Sequence, residues 1–265
     1  MTKLRAGSAI ILLFAALAAL APWIAPFDPQ TLSLPDRLEP PSLTHWLGRD
    51  DNGADVFSKL VYGARVSLSV AWIVVTISAT TGLLIGSWAG YRGGWADHLL
   101  MRVVDVFHAF PGFLIALGFV AMLGPSFRNL IFALCFTSWT SFARLVRGEV
   151  LHLKHREHVQ AARAIGAGGL RILARHIWPS LFALLLVQAT FAMAATIIAE
   201  SGLSFLGLGV PPDQDTWGGL LNSGRRILSE APHVSFSAGA AIMLLVFGFN
   251  MFGDGLRDRL DPRRG

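Results

Sequence analysis

Three histidines, His152, His155 and His158, recur at intervals of three residues and are the first group in this sequence whose chemistry invites attention. Imidazole is a common metal ligand. On a helix, however, three-residue steps fan these rings across about 120°, too wide for one ion. The stretch reads as a solvated helix face, and no metal is expected there. Asp105 and His108 differ, because they stand inside an otherwise apolar run. An Asp at the centre of a membrane helix costs ~2.5–3.5 kcal/mol on the insertion scale, and ionisable groups so placed are functional candidates by default. Arg102 is the expected partner of Asp105, near one end of that run. Gln188 and Glu200 belong to a later run. Glu200 sits at its end, within reach of solvent, and Gln188 either lines a path or bonds between helices. Asp105, His108, Gln188 and Glu200 are therefore the candidates for lining a solute path. The sequence holds no His-Glu-x-x-His, no paired cysteines, no Gly-x-Ser-x-Gly and no Gly-x-x-x-x-Gly-Lys-Ser/Thr phosphate loop. The chain is expected to catalyse nothing and to bind neither metal nor cofactor.

The elements that must position these residues are membrane helices. The chain has 265 residues, 53% hydrophobic and 15% charged, with a mean hydropathy of +0.54. Soluble domains carry about 25% charged residues. The formal charge is +5, but the basic residues flank apolar runs, which points to topology and not to nucleic acid. Cys135 is the single cysteine and lies in an apolar stretch, so no disulfide within the chain is available and the thiol is expected in the core.

Six runs can cross a bilayer, an all-α polytopic membrane fold. Gly7 to Ala25 is uncharged for 19 residues and ends in Trp23 and two prolines, too long for a signal peptide's apolar region. It is read as an uncleaved first span. Val66 to Gly90 follows, uncharged for 25 residues, ample for ~30 Å of hydrocarbon. Val103 to Leu123 is the third, with a kink site at Pro111-Gly112. Between Arg128 and Arg144 only 15 uncharged residues remain, and this fourth span crosses if the arginines snorkel. Trp178 to Ala199 and Val234 to Gly253 complete the set. Phe27 to Arg65 is polar and proline-rich, an extramembrane excursion, and Ser201 to Pro232 is half-apolar and suits the interface. With the N-terminus inside, fifteen Lys and Arg fall on the inner side and seven on the outer. The positive-inside rule then places both termini, and the central loop from Arg144 to Arg175, in the cytoplasm.

That loop holds the one long polar segment. Arg156 to Gly166 favours helix through Gln160, Ala161, Ala162, Arg163 and Ala164. Gly166 stops it, because glycine takes a left-handed backbone without a cost of ~1–2 kcal/mol. Gly168-Gly169 permit a sharp turn, and a second short helix is expected from Leu170 until Pro179 opens the next span. A helix of about ten residues is marginal alone, so it needs a partner surface.

Gln160-Ala161-Ala162, Gly166 and Ile177-Trp178-Pro179 resemble the EAA loop of permease subunits of ATP-binding cassette importers. The family's Glu is Gln160 here, which keeps size and hydrogen bonding but loses charge, and the usual Leu before the proline is Trp178. The resemblance extends along the chain. It takes in His45 to Asp50 with Gly53 to Val56, Tyr62 to Leu68, Gly90 to Gly94 and Asp105 to Pro111. Further on it takes in Leu203 to Pro212, Phe249-Asn250, Gly253 to Asp258 and Leu260 to Arg263. The combination is similar to the shorter, C-type permease of dipeptide, oligopeptide and nickel importers. Within it, Arg49 stands where the family usually has Thr, and Ala54 where it has Arg.

The resemblance implies a type I importer permease fold in the bacterial inner (cytoplasmic) membrane. It implies an N-terminal helix and periplasmic segment over 1–62, a transmembrane domain over 63–254 and a cytoplasmic tail over 255–265. It also implies a second permease subunit as heterodimer partner, two cytoplasmic ATPase subunits holding ATP and Mg, and an external solute-binding protein. The coupling residues carried over are Glu157, Val159, Gln160, Ala161, Ala162, Ile165, Gly166 and Pro179. Peptide is the first solute expected, with nickel and glutathione-like solutes as alternatives within the family. A stand-alone secondary transporter is the competing class, but no clear internal repeat supports it.

Overall fold

The computed structural model describes residues 2–211 and 213–260. Pro212 and the Asp261-Pro262-Arg263 part of the closing motif lie outside the described residues, as do the last five residues of the expected tail. The described chain is all-α, and its only strand-like pairing is an isolated bridge between Arg49 and Asp55. Helix α1 (Thr2–Ala19) and the short α2 (Ala21–Ile24) precede an extramembrane segment with one 3₁₀ turn, Leu34–Asp36. The long α3 (Val56–Arg92), α4 (Gly94–Ala109), α5 (Gly112–Leu123) and α6 (Phe127–Leu153) follow. Two short helices, α7 (Glu157–Ala164) and α8 (Gly169–Ile172), lead through a π-turn, Leu173–Ile177, into α9 (Trp178–Phe205). Then come α10 (Trp217–Arg226) and α11 (Pro232–Leu260).

Five helical segments are long and apolar enough to cross a membrane, and α4 with α5, bent by 83°, pass the same test as a pair, which makes six when the pair is one broken span. Five to six spans are in line with the sequence reading, with corrections in detail. The fourth span is 27 residues long, because its flanking arginines continue the helix and do not end it. The third is not a kinked rod but two helices at nearly a right angle. Pro111 has no N–H to give the preceding turn, and edge-on contacts of Phe107 with Phe136 and Trp139 hold α4 in its new direction. The second short helix of the polar loop does not stop at Pro179. The segment Gly169–Phe205 runs on as one span, and the π-turn widens the helix just where the Pro179 ring would press on the preceding turn.

The bundle is assembled on small residues. Gly82, Gly86 and Gly90 form a stripe on α3 against Phe142, Ala143, Val146, Arg147 and Val150 of α6, and a Cβ on any of them would press on atoms of α6. Gly7 and Gly248 bring α1 and α11 together in the same way. Small residues let helix backbones approach where lipid supplies no hydrophobic drive. One core cluster joins Phe14, Ala71, Phe142, Ile197, Trp217 and Leu245. Trp217 is fully buried, and its indole N–H donates to the Leu60 carbonyl at 2.8 Å. Cys135 is half-buried beside a second cluster of α3, α5 and α6 residues. Helix α3 runs through the 62/63 boundary and α11 through 254/255, so these boundaries divide continuous helices.

The His45 to Val56 stretch is a structural knot at the start of α3. Asp55 caps the helix, accepting from the Ser58 N–H at 2.7 Å while its other oxygen meets His45 Nδ1 at 2.9 Å. Asp50 accepts from the Asn52 and Ala54 N–H groups and pairs with Lys59. Arg49 reaches Asp36 and Glu39.

Candidate functional site: an exposed loop helix and a groove along α9

Helix α7 is amphipathic on a small scale. Val159 and Ala162, one turn apart, are buried with Val146, Val150, Ile172 and Ile177 in a cluster under the loop. The opposite face, with Glu157, Gln160, Ala161 and Ile165, is exposed, and Ile165 is 86% accessible. Of the carried-over coupling residues, Val159 and Ala162 thus anchor the helix to its own chain, and the others look outward or shape the turn. Gly166 has φ +83° and no atom near where a Cβ would stand, so backbone conformation alone requires glycine there. Pro179 sits in the first turn of α9.

The two departures from the family pattern have local structural roles. The Gln160 side-chain N–H donates to the Lys154 carbonyl at 2.8 Å, tying α7 to the end of α6. A carboxylate could not make this bond. The Trp178 indole N–H donates to Ser87 Oγ at 3.0 Å, and the Arg163 guanidinium lies 5.5 Å from the Tyr91 ring centre. Lys154 donates to the Gly90 carbonyl at 2.9 Å. These contacts tie α7 and the start of α9 to the last turns of α3 and α6.

The histidines of the polar segment do not converge. His152 ends α6, His155 lies in the turn and His158 is on α7, with its ring centre 6.4 Å from that of His176. Among the described residues no group of three or more metal-ligating side chains is arranged to hold an ion.

The four path candidates separate. Asp105 pairs with Arg144 of α6 at 2.6 Å, not with Arg102, on an exposed surface. Glu200 is fully buried, contrary to the expectation that solvent reaches it. Hydroxyls of Ser67 on α3 and Ser204 on α9 donate to its two oxygens at 2.9 Å each, and Ser201 adds a third bond at 3.3 Å. His108 and Gln188, in contrast, line one open pocket of about 450 Å³ bounded by α4, α5, α6 and α9. Gln188 and Phe191 also line a second pocket, of about 430 Å³, bounded by α6, α9 and α11. The two pockets share Gln188 and Phe191, and with Ser180 and Leu184 lining one and Ala195 and Ala199 the other they make a two-part groove along one face of α9. At 1.5 Å per residue that face extends for about 28 Å, close to the ~30 Å of a hydrocarbon core.

The second pocket also brings in Glu149 and Arg257, which the sequence reading missed. They flank apolar runs, and nothing local distinguishes them from solvated ends. A third pocket, about 650 Å³, lies at the opposite end of the molecule from α7. It is lined by Asp28, Gln30, Tyr62, Arg65 and Asp215, among others. There Gln30 donates to Asp215 at 2.9 Å, and burial pushes the Asp215 carboxyl up to about 6 despite the attraction of Lys59.

Five to six apolar spans, pockets along α9 and an exposed short helix on one loop suit a membrane transport subunit. Residues 82–265 match the family described as binding-protein-dependent transport system inner membrane component. Residues 5–41 match the N-terminal TM domain of oligopeptide transport permease C. The chain belongs to this family of bacterial inner-membrane importer permeases. It is 42% identical over 259 residues to the glutathione transport system permease protein GsiD of Pectobacterium atrosepticum, covering 97% of this chain and 86% of the relative. It is 44% identical over 254 residues to GsiD of Escherichia coli, covering 96% and 84%. It is also 41% identical over 257 residues to the dipeptide transport system permease protein DppC of Alkalihalophilus pseudofirmus, covering 97% and 84%.

Proposed function

We propose that this chain is the C-type permease of a peptide importer, that the α9 groove is its half of the solute path, and that the outward face of α7 docks on an ATPase subunit. The α7 end, with both termini, is cytoplasmic, a placement that the fifteen-to-seven distribution of basic residues supports. A second permease subunit faces the groove and closes the path. Two ATPase subunits hold ATP and Mg, and this chain hydrolyses nothing. A solute-binding protein meets the opposite end, where the extramembrane segment and the 650 Å³ pocket lie. The stretches 1–62, 63–254 and 255–265 divide these roles, not the folding units.

The observation that carries the reading is the succession of two pockets, joined at Gln188 and Phe191, along one face of α9 over about the depth of a bilayer. The groove opens between α6, α9 and α11 at the end of the molecule where α7 is exposed. ATPase closure moves α7. Bonds from Gln160, Arg163 and Trp178 pass that movement to α6 and α3. Glutathione is the second reading, favoured by the relatives at 42% and 44% identity.

Reconstitution of the whole importer in vesicles tests this. ATP-driven uptake of a labelled dipeptide is expected only with the ATPase subunits and the binding protein present. Uptake without the ATPases overturns the reading. Uptake of glutathione but not of dipeptides replaces the first solute by the second.

A further inference from the structure

The second pocket is unlike the rest of the groove in its charge. Around the mid-groove pocket the only ionisable side chain is His108. The pocket at the α7 end is lined by Glu149 of α6, Arg257 of α11 and Ser180 of α9. Nearby charged groups are committed elsewhere: Arg144 to Asp105, Arg147 to Asp97 by two bonds, and Lys154 to a carbonyl. Glu149 and Arg257 have no ion pair or hydrogen bond among the described residues, not even with each other. Glu149 is half-buried and Arg257 exposed.

We propose that this pocket is a release subsite for a zwitterionic solute, in which Glu149 receives the solute's ammonium group and Arg257 its carboxylate. The proposal rests on the reading of the α9 groove as the solute path, and deepens it by naming the charges the solute carries. An ammonium leaving water is best received by a carboxylate, and a carboxylate by the planar guanidinium fork. Two opposite charges on separate helices, lining one pocket without touching, offer both at once. A volume of about 430 Å³ falls in the range of small-molecule sites. An uncharged solute gains little there. A solute with only one charged group leaves the other side chain unpaired. Because the pocket is open and Arg257 is solvated, binding is weak, as an exit requires.

The test uses the complete importer in vesicles, with unlabelled solute loaded at the α7 side so that the external binding protein plays no part in selection. Internal alanyl-alanine is expected to inhibit ATP-driven uptake. The N-acetylated and the C-amidated forms are expected to need about tenfold higher concentrations, one charged hydrogen bond being worth ~1.5–3 kcal/mol. Glu149→Gln should weaken inhibition by alanyl-alanine about tenfold and leave the N-acetylated form unaffected. Arg257→Gln should do the same with respect to the amidated form. Equal shifts for all three solutes in both variants, or no inhibition of the wild type by internal peptide, overturn the proposal. So does recovery of ATPase coupling when Glu149→Arg is combined with Arg257→Glu, because the two would then be a closing ion pair. If the importer moves glutathione instead of dipeptides, the same three forms of that tripeptide are loaded. Loss of dipeptide uptake then bears on the solute reading, and the blocked forms bear on the subsite.

Discussion

Glu200 and Glu149 carry the same side chain into two regions that treat it in opposite ways. In the bundle interior, Glu200 is fully buried and three serine hydroxyls satisfy its oxygens. At the α7 end of the groove, Glu149 borders an open pocket with no partner. A polar group withdrawn from solvent is costly unless its hydrogen bonds are replaced, so the first arrangement binds α3 to α9. The second contributes little to folding and leaves a charge available. The paired Glu200 marks where the bundle is fixed, and the unpaired Glu149 is the group proposed above to meet solute.

The sharpest way to break that contrast is to truncate both residues. Glu200→Ala leaves three hydroxyls without an acceptor and a cavity behind them. It should destabilise the detergent-purified chain by about 2–5 kcal/mol in thermal unfolding. Glu149→Ala should stay within about 0.5 kcal/mol of the wild type. Similar losses for the two would end the distinction.

Next in size is the turn after α7. Gly166→Val forces a β-branched residue into a left-handed backbone at a cost of ~1–2 kcal/mol. Membrane insertion should be intact, while the number of solute molecules moved per ATP falls several-fold. Unchanged coupling contradicts the role given to this turn. Gln160→Glu is a finer probe, since it removes the donor to the Lys154 carbonyl. About 1 kcal/mol should be lost locally, read as faster amide hydrogen exchange across 154–160.

A pH dependence probes the opposite end. Burial raises the Asp215 carboxyl to about 6, so between pH 4 and 6 the folded chain holds more protons than the unfolded one. Stability from this group is complete below pH 4, falls as pH rises to 6 and is level above. Asp215→Asn should remove that slope from the melting temperature. A slope that persists assigns it to another group.

Much of this was legible from residue order. Long uncharged runs gave the spans, Gly166 gave the end of α7, and a polar residue in an apolar run singled out His108 and Gln188. Burial of Glu200 was not legible, because one of its donors, Ser67, lies 133 residues away in sequence. The 83° break at Pro111 was visible as a site but not as an angle, which depends on aromatic contacts between α4 and α6. Glu149 and Arg257 escaped notice because charge beside an apolar run is ordinary. Only the folding of α6 and α11 onto one face of α9 sets them around a common space.

The claim on which the account stands is that this face of α9 is the wetted path. In a chain with Cys135→Ala, single cysteines at 180, 184, 188, 191 and 195 should react with a membrane-impermeant thiol reagent in the assembled importer and be protected by solute. Cysteines at 182, 186 and 198, exposed in the isolated chain but off the groove, should stay unlabelled against lipid. Labelling at the second set, or at the two ends alone, contradicts a continuous groove.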